Sequence, residues 1–296
     1  MNVILITCSY RPDWARCQKL MESVKRYVSP EIEHLLIVPE ADRFDFSKLA
    51  NDSTRIITTE SILPPLFRRI PGLEKWWWTG CSLPVRGWIM QQITKLSVAA
   101  EVESDVLIFV DSDVTFIQTL QVEQFVKEGR VRLYRVPETG KKSFHLQWHR
   151  AASKMLGLPA QNYFGADYIS QLVSWHRGTV LQLLERLESV RKYNWQTVLC
   201  RTLQFSEYIL YGIFVEHVLQ DDKNHYFETQ DLCHCSWHYD VETELGRKQF
   251  LEGIANQHMA ILIQSTRTLD LEQRSRISDE MKLKIESDKG TKKNCE

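Results

Sequence analysis

Two aspartates that directly follow an apolar run are the residues whose types and spacing most clearly allow chemistry. Asp111 and Asp113 come after Val106–Val110, a run of the kind that forms a buried strand. Side chains at positions i and i+2 of extended backbone project to the same side, so both carboxylates can face one point. Paired buried carboxylates are costly without a neutralising cation or proton. Because Mg²⁺ and Mn²⁺ prefer oxygen ligands, we interpret the pair as a metal site, with an ordinary capped loop as the alternative.

A second polar loop follows the first apolar run, Val3–Cys8. Tyr10 could stack on a base, and Asp13 could bind ribose hydroxyls. Arg11 or Arg16 could meet phosphate. An ordinary loop in which Asp13 caps the next helix is the alternative. The candidate nucleotide ligands near this strand end are Thr7, Ser9, Tyr10, Arg11, Asp13 and Arg16.

Polar side chains also interrupt the apolar stripe of a predicted helix, Gly87–Ala100. Gln92 and Lys95 are three positions apart and share a face. Lys95 could neutralise a diphosphate and Gln92 could bind sugar hydroxyls, although a solvated helix face would explain both equally well. We interpret the preceding triplet Trp76–Trp78 as a packed corner rather than a sugar-stacking lip.

Two later carboxylates are candidates for acid–base chemistry. Glu207 lies in the first turn of a predicted helix, Ser206–Leu219, with Ser206 as its expected N-cap. A carboxylate there could act as general base for an attacking hydroxyl, or could simply stabilise the helix dipole. Asp167 is the second candidate.

A histidine late in the chain could complete the metal site. His234 and His238 are the choices, and the residues alone do not separate them. A buried, hydrogen-bonded histidine is an equal alternative for each. The segment Cys233–His238 has no second Cys/His pair at zinc-finger spacing, which disfavours structural zinc.

The composition limits the classes of partner. The 296 residues include 37 Lys+Arg and 38 Asp+Glu, a formal charge of −1, so the basic excess that nucleic-acid phosphates require is missing. No apolar stretch reaches the roughly 18 residues of a membrane span, although peripheral membrane association stays open. The first apolar run begins almost at Met1 and leaves no room for a signal peptide. Seven cysteines form no dense framework, so we expect a cytoplasmic protein with reduced thiols.

Strand and helix patterns alternate along the first third of the chain and become mixed later. This alternation predicts an α/β fold with a mostly parallel Rossmann-like sheet, helices on both faces and a smaller mixed C-terminal portion. Loops after Val3–Cys8 and Val106–Val110 should then converge at one crevice. The other predicted elements are strands at His34–Val38, Arg55–Thr58, Arg130–Val136, Ala166–Ser174 and Met259–Ile263, helices at Asp13–Tyr27 and Arg177–Lys192, and a polar loop at Pro137–Trp148.

We predict one domain over residues 1–266. Residues 1–116 form its nucleotide-binding half, and residues 117–266 form its acceptor-binding and metal-completing half. Residues 267–296 are predicted to be a charged helical tail, with a disordered end at Ser287–Glu296.

Four short motifs occur in a characteristic order. They are Thr7…Ser9-Tyr10…Asp13…Arg16, Gly87-Trp88…Gln91-Gln92…Lys95-Leu96, Asp111-Ser112-Asp113-Val114 and Ser206-Glu207-Tyr208…Tyr211-Gly212. Over roughly residues 3–265 this order resembles an uncharacterised bacterial family of glycosyltransferases with the GT-A fold. The resemblance implies a nucleotide-sugar donor (a UDP- or GDP-sugar above all), a saccharide or other hydroxyl acceptor, and Mn²⁺ or Mg²⁺ at Asp111 and Asp113. It also implies a late metal-ligating histidine, best matched by His234, and a functional carboxylate at Glu207.

Two other functions compete with this one. The string Asp111–Thr115 also resembles the first motif of haloacid-dehalogenase-type phosphohydrolases, in which the first Asp is a nucleophile. That motif normally opens its domain, whereas about a hundred residues precede it here, and the later pair Asp221-Asp222 follows a predicted helix rather than a strand. A nucleotide-binding protein without catalysis is the third alternative. A metal-dependent glycosyltransferase is the favoured hypothesis.

Overall fold

The structure is a computed structural model that describes residues 1–220 and 223–293. Asp221 and Asp222, as well as residues 294–296 of the predicted disordered end, lie outside the described residues. Numbered along the chain, the strands are Val3–Cys8 (β1), Glu33–Val38 (β2), Thr54–Thr58 (β3), Arg68–Ile70 (β4), Leu73–Trp78 (β5), Val85–Arg86 (β6), Val106–Val110 (β7), Val114–Phe116 (β8), Val126–Lys127 (β9), Arg130–Tyr134 (β10), Val136–Pro137 (β11), Ala166–Asp167 (β12), Leu172–His176 (β13), His225–Glu228 (β14), Cys233–Cys235 (β15) and Ala260–Leu262 (β16). The α-helices are Trp14–Tyr27 (α1), Arg43–Phe46 (α2), Thr59–Ile62 (α3), Gly87–Glu101 (α4), Ser143–Leu156 (α5), Arg177–Arg191 (α6), Trp195–Cys200 (α7), Glu207–Ile213 (α8), Glu244–Glu252 (α9) and Leu271–Lys293 (α10).

Within the described residues, a central sheet of five strands in the order β3-β2-β1-β7-β13 organises the fold. The first four strands run parallel, and β13 pairs antiparallel with β7. Ile4 and Ile6 pack on the face covered by α4, α6 and α8, whereas Leu5 packs on the face covered by α1. The predicted α/β class, with a mostly parallel sheet and helices on both faces, is therefore confirmed.

A smaller mixed portion packs beside the central sheet. β8 continues from the end of β7 into a small sheet with the order β15-β16-β8. The last helix, α10, buries Ile277, Met281 and Ile285 in one cluster with Phe250 of α9. The helix continues to Lys293 and so includes part of the segment predicted to be frayed. No helix within the described residues combines the length and apolar character that crossing a membrane requires.

The prediction of a polar loop over Pro137–Trp148 is wrong in its second half, because α5 begins at Ser143. Buried residues of α5 lie after this point, at His149, Ala152 and Met155, and they set the helical spacing. The polar first turn carries no such pattern. Only the packing of the later turns identifies it as helix.

Two further elements are more broken than their patterns predict. Ala166–Ser174 is not one strand, because Asp167 Oδ1 accepts hydrogen bonds from the backbone N–H groups of Tyr168 and Ile169 and turns the chain between β12 and β13. The predicted helix Ser206–Leu219 is α-helical only to Ile213 and continues as a π-helical turn. Ser206 is its N-cap as predicted, with Oγ accepting from the Ile209 N–H.

Candidate functional site

A crevice of about 660 Å³ opens at the edge of the central sheet where β1, β2, β3 and β7 end. Ligands of open α/β sheets bind at this edge, and the volume suits a ligand of nucleotide size. The part that we call the sheet wall is formed by Ser9, Tyr10, Asp13, Asp111, Ser112 and Asp113. The part that we call the hairpin wall is formed by Arg69, Lys75, Trp76, Trp77 and Arg86. The loops after β1 and β7 thus converge on one crevice.

Asp113 is a buried carboxyl group that forms no ion pair in the described residues. Burial, with the negative charges of Asp111 and Asp13, raises the pKa of Asp113 to about 7. The Ser265 N–H donates to Asp113 Oδ2 over 3.1 Å, and no ion pair joins Asp113 to a lysine or arginine in the described part of the chain. A cation beside this carboxyl group would favour its ionised form. Asp113 therefore fits the role of a metal ligand.

Asp111, by contrast, already has a cationic partner. Lys95 Nζ donates to Asp111 Oδ1 over 3.0 Å and to the Tyr208 hydroxyl over 2.7 Å, and it lies 3.3 Å from Glu207 Oε1. Burial disfavours the charged amine, but the acidic groups around it outweigh burial and raise the pKa of Lys95 well above its usual value. Lys95 is only 4% exposed and does not line the crevice. It therefore acts on the crevice through Asp111.

Gln92 and Glu207 lie behind this ion pair rather than at the crevice surface. The Glu207 N–H donates to Gln92 Oε1 over 3.0 Å, and Gln92 Nε2 donates to the Trp88 carbonyl over 3.4 Å. Both side chains are buried. The neighbouring Gln91 lines the crevice instead, because consecutive helical residues point about 100° apart.

Within the loop after β1, the residues nearest the sheet reach the crevice. Ser9 lines the crevice, but its Oγ is buried and lies beside the Cys17 thiol of α1. Tyr10 is 37% exposed and can offer a ring face. Asp13 makes no helix-capping hydrogen bond; it accepts from Ser112 Oγ over 3.3 Å and pairs with Arg16.

Three predicted nucleotide ligands of the same region point elsewhere. Thr7 is buried, and its Oγ1 lies 2.9 Å from His34 Nε2 in β2. The Arg11 side chain is 75% exposed and lies beside Asp45. Arg16 is held by Asp13 and lines a separate pocket against α10. None of the three lines the crevice.

The late histidine is not brought to the aspartates. β16 lies between β15, which carries His234, and β8, which follows Asp113, so two strand spacings of about 4.8 Å separate these segments. The His234 ring stacks on Phe250, and its Nε2 lies 2.8 Å from the Phe250 carbonyl. His238 is exposed and does not line the crevice. In the described residues, no three His, Cys, Asp or Glu side chains could hold one ion together.

Asp167 also lies outside the crevice lining. Its Oδ2 is 3.2 Å from His145 Nδ1, and its Oδ1 caps the turn that follows β12. The structure therefore separates both candidate acid–base carboxylates from the crevice surface, Glu207 by Lys95 and Asp167 by position.

The hairpin wall contributes cations that the sequence patterns did not reveal. Arg69, Lys75 and Arg86 line the crevice, and none forms an ion pair with a carboxylate whose side chain the structure describes. The Arg69 and Arg86 guanidinium groups lie 5.6 Å from the ring centres of Trp77 and Trp76, which hold them by cation–π contact. Arg69 Nε is buried without a hydrogen-bond partner in the same described residues. In the sequence, the one feature that could have indicated this wall is the mixture of Arg and Trp residues around Gly72.

Fold and site together define an α/β domain with a polar crevice at the carboxyl ends of parallel strands, lined by carboxylates from the sheet and by cations from a hairpin. The chain belongs to a family of unknown function (DUF6492), whose profile matches residues 2–281. No curated protein matches its sequence significantly. Among solved structures, the apo form of mouse xyloside xylosyltransferase 1 is similar, with 12% identity, a TM-score of 0.48, and 91% of this chain and 100% of that chain covered.

Proposed function

We propose that this protein is a metal-dependent glycosyltransferase that moves a sugar from a nucleotide-sugar donor to an acceptor hydroxyl. The observation that carries the proposal is the charge pattern of the crevice. Asp113 is a buried carboxyl group on the sheet wall, and the three cations of the hairpin wall have no ion-pair partner among the carboxylate side chains that the structure describes. A divalent cation with a nucleoside diphosphate supplies both missing partners, since the metal satisfies the carboxylates and the phosphates satisfy the cations.

Asp111 and Asp113 would hold the Mn²⁺ or Mg²⁺ ion, and these hard ions commonly complete their coordination with phosphate oxygens and water. When bound, the ion supplies positive charge that stabilises the departing nucleoside diphosphate. Two protein carboxylates are enough for such a site, so His234 is not needed as a third ligand. Its hydrogen bond to the Phe250 carbonyl supports a structural role instead.

The side chains of the crevice would divide the donor between them. Arg69, Lys75 and Arg86 would bind the diphosphate, while the Tyr10 ring would cover the base. Asp13 would bind the ribose hydroxyls, with Ser9 beside it in the crevice lining. Catalytic power would come from holding the donor in place and from charge stabilisation.

Lys95, Gln92 and Glu207 are positioning residues in this proposal. Glu207 holds Lys95 from behind, and Lys95 fixes the carboxylate of Asp111. Gln92 in turn fixes the first turn of α8 through the Glu207 N–H. Their contacts favour a support for the metal site over direct contact with the acceptor.

Binding of UDP and GDP with and without Mn²⁺, measured by isothermal titration calorimetry, tests the nucleotide and metal parts. We expect Mn²⁺ to tighten nucleotide binding, and Asp113→Asn to weaken the Mn²⁺-dependent part about tenfold or more. Asp52→Asn, at an exposed position outside the crevice, is the matched control and should bind as the unmodified chain does. Nucleotide binding that ignores both Mn²⁺ and Asp113→Asn contradicts the proposal.

The products of the reaction distinguish a glycosyltransferase from a phosphohydrolase in which Asp111 would be the nucleophile. Incubation with UDP-, GDP-, CMP- and dTDP-sugars and Mn²⁺ should release nucleotide from one donor class. Release of inorganic phosphate, with a beryllofluoride adduct trapped on Asp111, would instead support the phosphohydrolase.

A further inference from the structure

Four aromatic rings from two helices form one cluster, which we call the aromatic platform: Trp88, Phe144, His145 and Trp148. Trp148 lies at its centre, with ring centroids 5.8 Å from Trp88, 5.2 Å from Phe144 and 5.0 Å from His145. Trp88 comes from the first turn of α4, and the other three come from the first two turns of α5. The platform therefore joins two elements that are far apart in the chain.

The platform leaves large aromatic surface in water. Trp88 is 47% exposed and Phe144 is 44% exposed, although both contact Trp148. Single exposed aromatic residues are common, but a contiguous exposed cluster is typical of a binding surface. Trp148 also packs against the core, but the exposed ring of Phe144 does not belong to it, because α5 is buried through its later turns at Ala152, Met155 and Leu156.

The platform continues the crevice and ends at a fixed polar pair. Trp88 belongs both to the platform and to the crevice lining. His145 stacks on Trp148, and its Nδ1 lies 3.2 Å from Asp167 Oδ2. Asp167 is held in place by two backbone N–H groups and by the loop at Gly140, where a Cβ would lie 2.7 Å from the Asp167 carboxyl group. The surface thus offers flat apolar rings beside one oriented imidazole–carboxylate pair.

We propose that the aromatic platform is the acceptor subsite and that it binds a saccharide, an inference that rests on the proposed function. One face of a pyranose ring carries mainly C–H groups and stacks on aromatic rings, while hydroxyls at its edge need hydrogen-bond partners. His145 and Asp167 provide such partners at the platform edge. Trp88 would bring the bound saccharide next to a donor in the crevice.

Saturation-transfer-difference NMR with the full chain tests this subsite without knowledge of the natural acceptor. The probes are the methyl glycosides of glucose, galactose, mannose and xylose, each titrated in the presence of UDP and Mg²⁺, which is diamagnetic and leaves the proton signals sharp. We expect at least one glycoside to receive saturation at its ring C–H protons. Phe144→Ala should weaken this binding about fivefold to tenfold, because it removes one exposed ring without opening a buried cavity.

Phe44→Ala is the matched control, since Phe44 is 79% exposed and does not line the crevice. It should leave glycoside binding unchanged. Lack of binding by every glycoside, or equal binding by the unmodified chain and Phe144→Ala, overturns the acceptor subsite. Binding of phenol in place of every glycoside also overturns it, because the platform would then be a plain apolar surface.

Calorimetry with UDP and Mn²⁺ on the same Phe144→Ala sample separates this inference from the proposed function. Nucleotide binding should be unchanged there, because Phe144 does not line the crevice. If nucleotide binds normally and no glycoside binds, only the acceptor subsite fails. If glycosides bind the platform and no nucleotide binds with Mn²⁺, the proposed donor site fails instead.

Discussion

The two walls of the crevice hold their charges in opposite ways. On the sheet wall, Asp111 is bound to a buried lysine, and the surrounding groups come from the strand ends and from α4 and α8. On the hairpin wall, indole rings support Arg69 and Arg86, and neither these arginines nor Lys75 has an ion-pair partner among the carboxylate side chains that the structure describes. The difference indicates that the charges around Asp111 serve the fold as well as the site, whereas those of the hairpin are left for a ligand. Substitutions should therefore affect stability on one wall and binding on the other.

The largest effect is expected where Lys95 is removed. Lys95→Met leaves Asp111 and Glu207 partly or fully buried without their cation and should cost about 3–5 kcal/mol in the free energy of unfolding. Urea denaturation of the variant measures this loss. Lys19→Met, which breaks the exposed pair with Glu22, should cost less than about 1 kcal/mol.

A second substitution sharpens the Lys95 result. Adding Glu207→Gln to Lys95→Met removes one of the unpaired charges and should restore part of the lost stability. Equal stabilities for Lys95→Met and Lys19→Met would show that the sheet wall does not depend on this ion pair.

A smaller loss of stability is expected when the pH is lowered, because β2 of the central sheet contains a buried histidine, His34. Burial lowers the pKa of His34 to about 4, below its unfolded value of about 6.5. The stability that neutral His34 contributes is thus complete above pH 6.5 and is lost as the pH falls towards 4, at about 1.4 kcal/mol per pH unit. Between pH 6.5 and pH 5 this amounts to about 2 kcal/mol.

His34→Gln isolates that contribution from those of the other histidines. Glutamine does not titrate and its amide can still contact the Thr7 hydroxyl. The difference in unfolding free energy between the two proteins, from urea titrations at pH 7.5 and pH 5, should change by about 2 kcal/mol in favour of the variant. Parallel pH curves would mean that His34 titrates alike in the folded and unfolded chain.

The smallest expected change concerns binding at the hairpin wall. Arg69→Ala should weaken the binding of UDP with Mn²⁺ about tenfold, near 1.4 kcal/mol, because a charge-assisted contact to phosphate is lost. Thermal unfolding should change little, since Arg69 forms no ion pair with a described carboxylate. Arg68→Ala, at the exposed neighbouring position outside the crevice, is the control. Equal affinity losses for the two variants would assign the effect to net charge alone.

The sequence was sufficient to predict the strands and loops that form the sheet side of the crevice. Val3–Cys8 and Val106–Val110 are apolar runs with polar residues directly after them, so strand ends and loop convergence were predictable. The face of α4 that meets the crevice was not predictable, because most positions of this helix are buried and its pattern has no clear polar side. For that reason Gln92 was chosen where Gln91 lines the crevice.

Contacts between segments that are distant in the sequence could not be predicted either. His234 can approach the aspartates only if β15 lies directly beside β8, and sequence patterns do not reveal that β16 lies between them. The hairpin wall depends on strands of two to six residues, which are too short for an alternation to be recognised. The role of Arg69 and Arg86 in this wall follows from their contacts with Trp77 and Trp76 in the structure.

One side chain of the crevice lining has a practical consequence. Cys8 ends β1 beside the sheet wall, and burial raises the pKa of its thiol to about 12. The thiolate is the form that alkylating reagents and mild oxidants attack, and almost none of it exists at neutral pH. Preparations handled in air, or treated with iodoacetamide to block the more exposed cysteines, should therefore keep this position chemically intact.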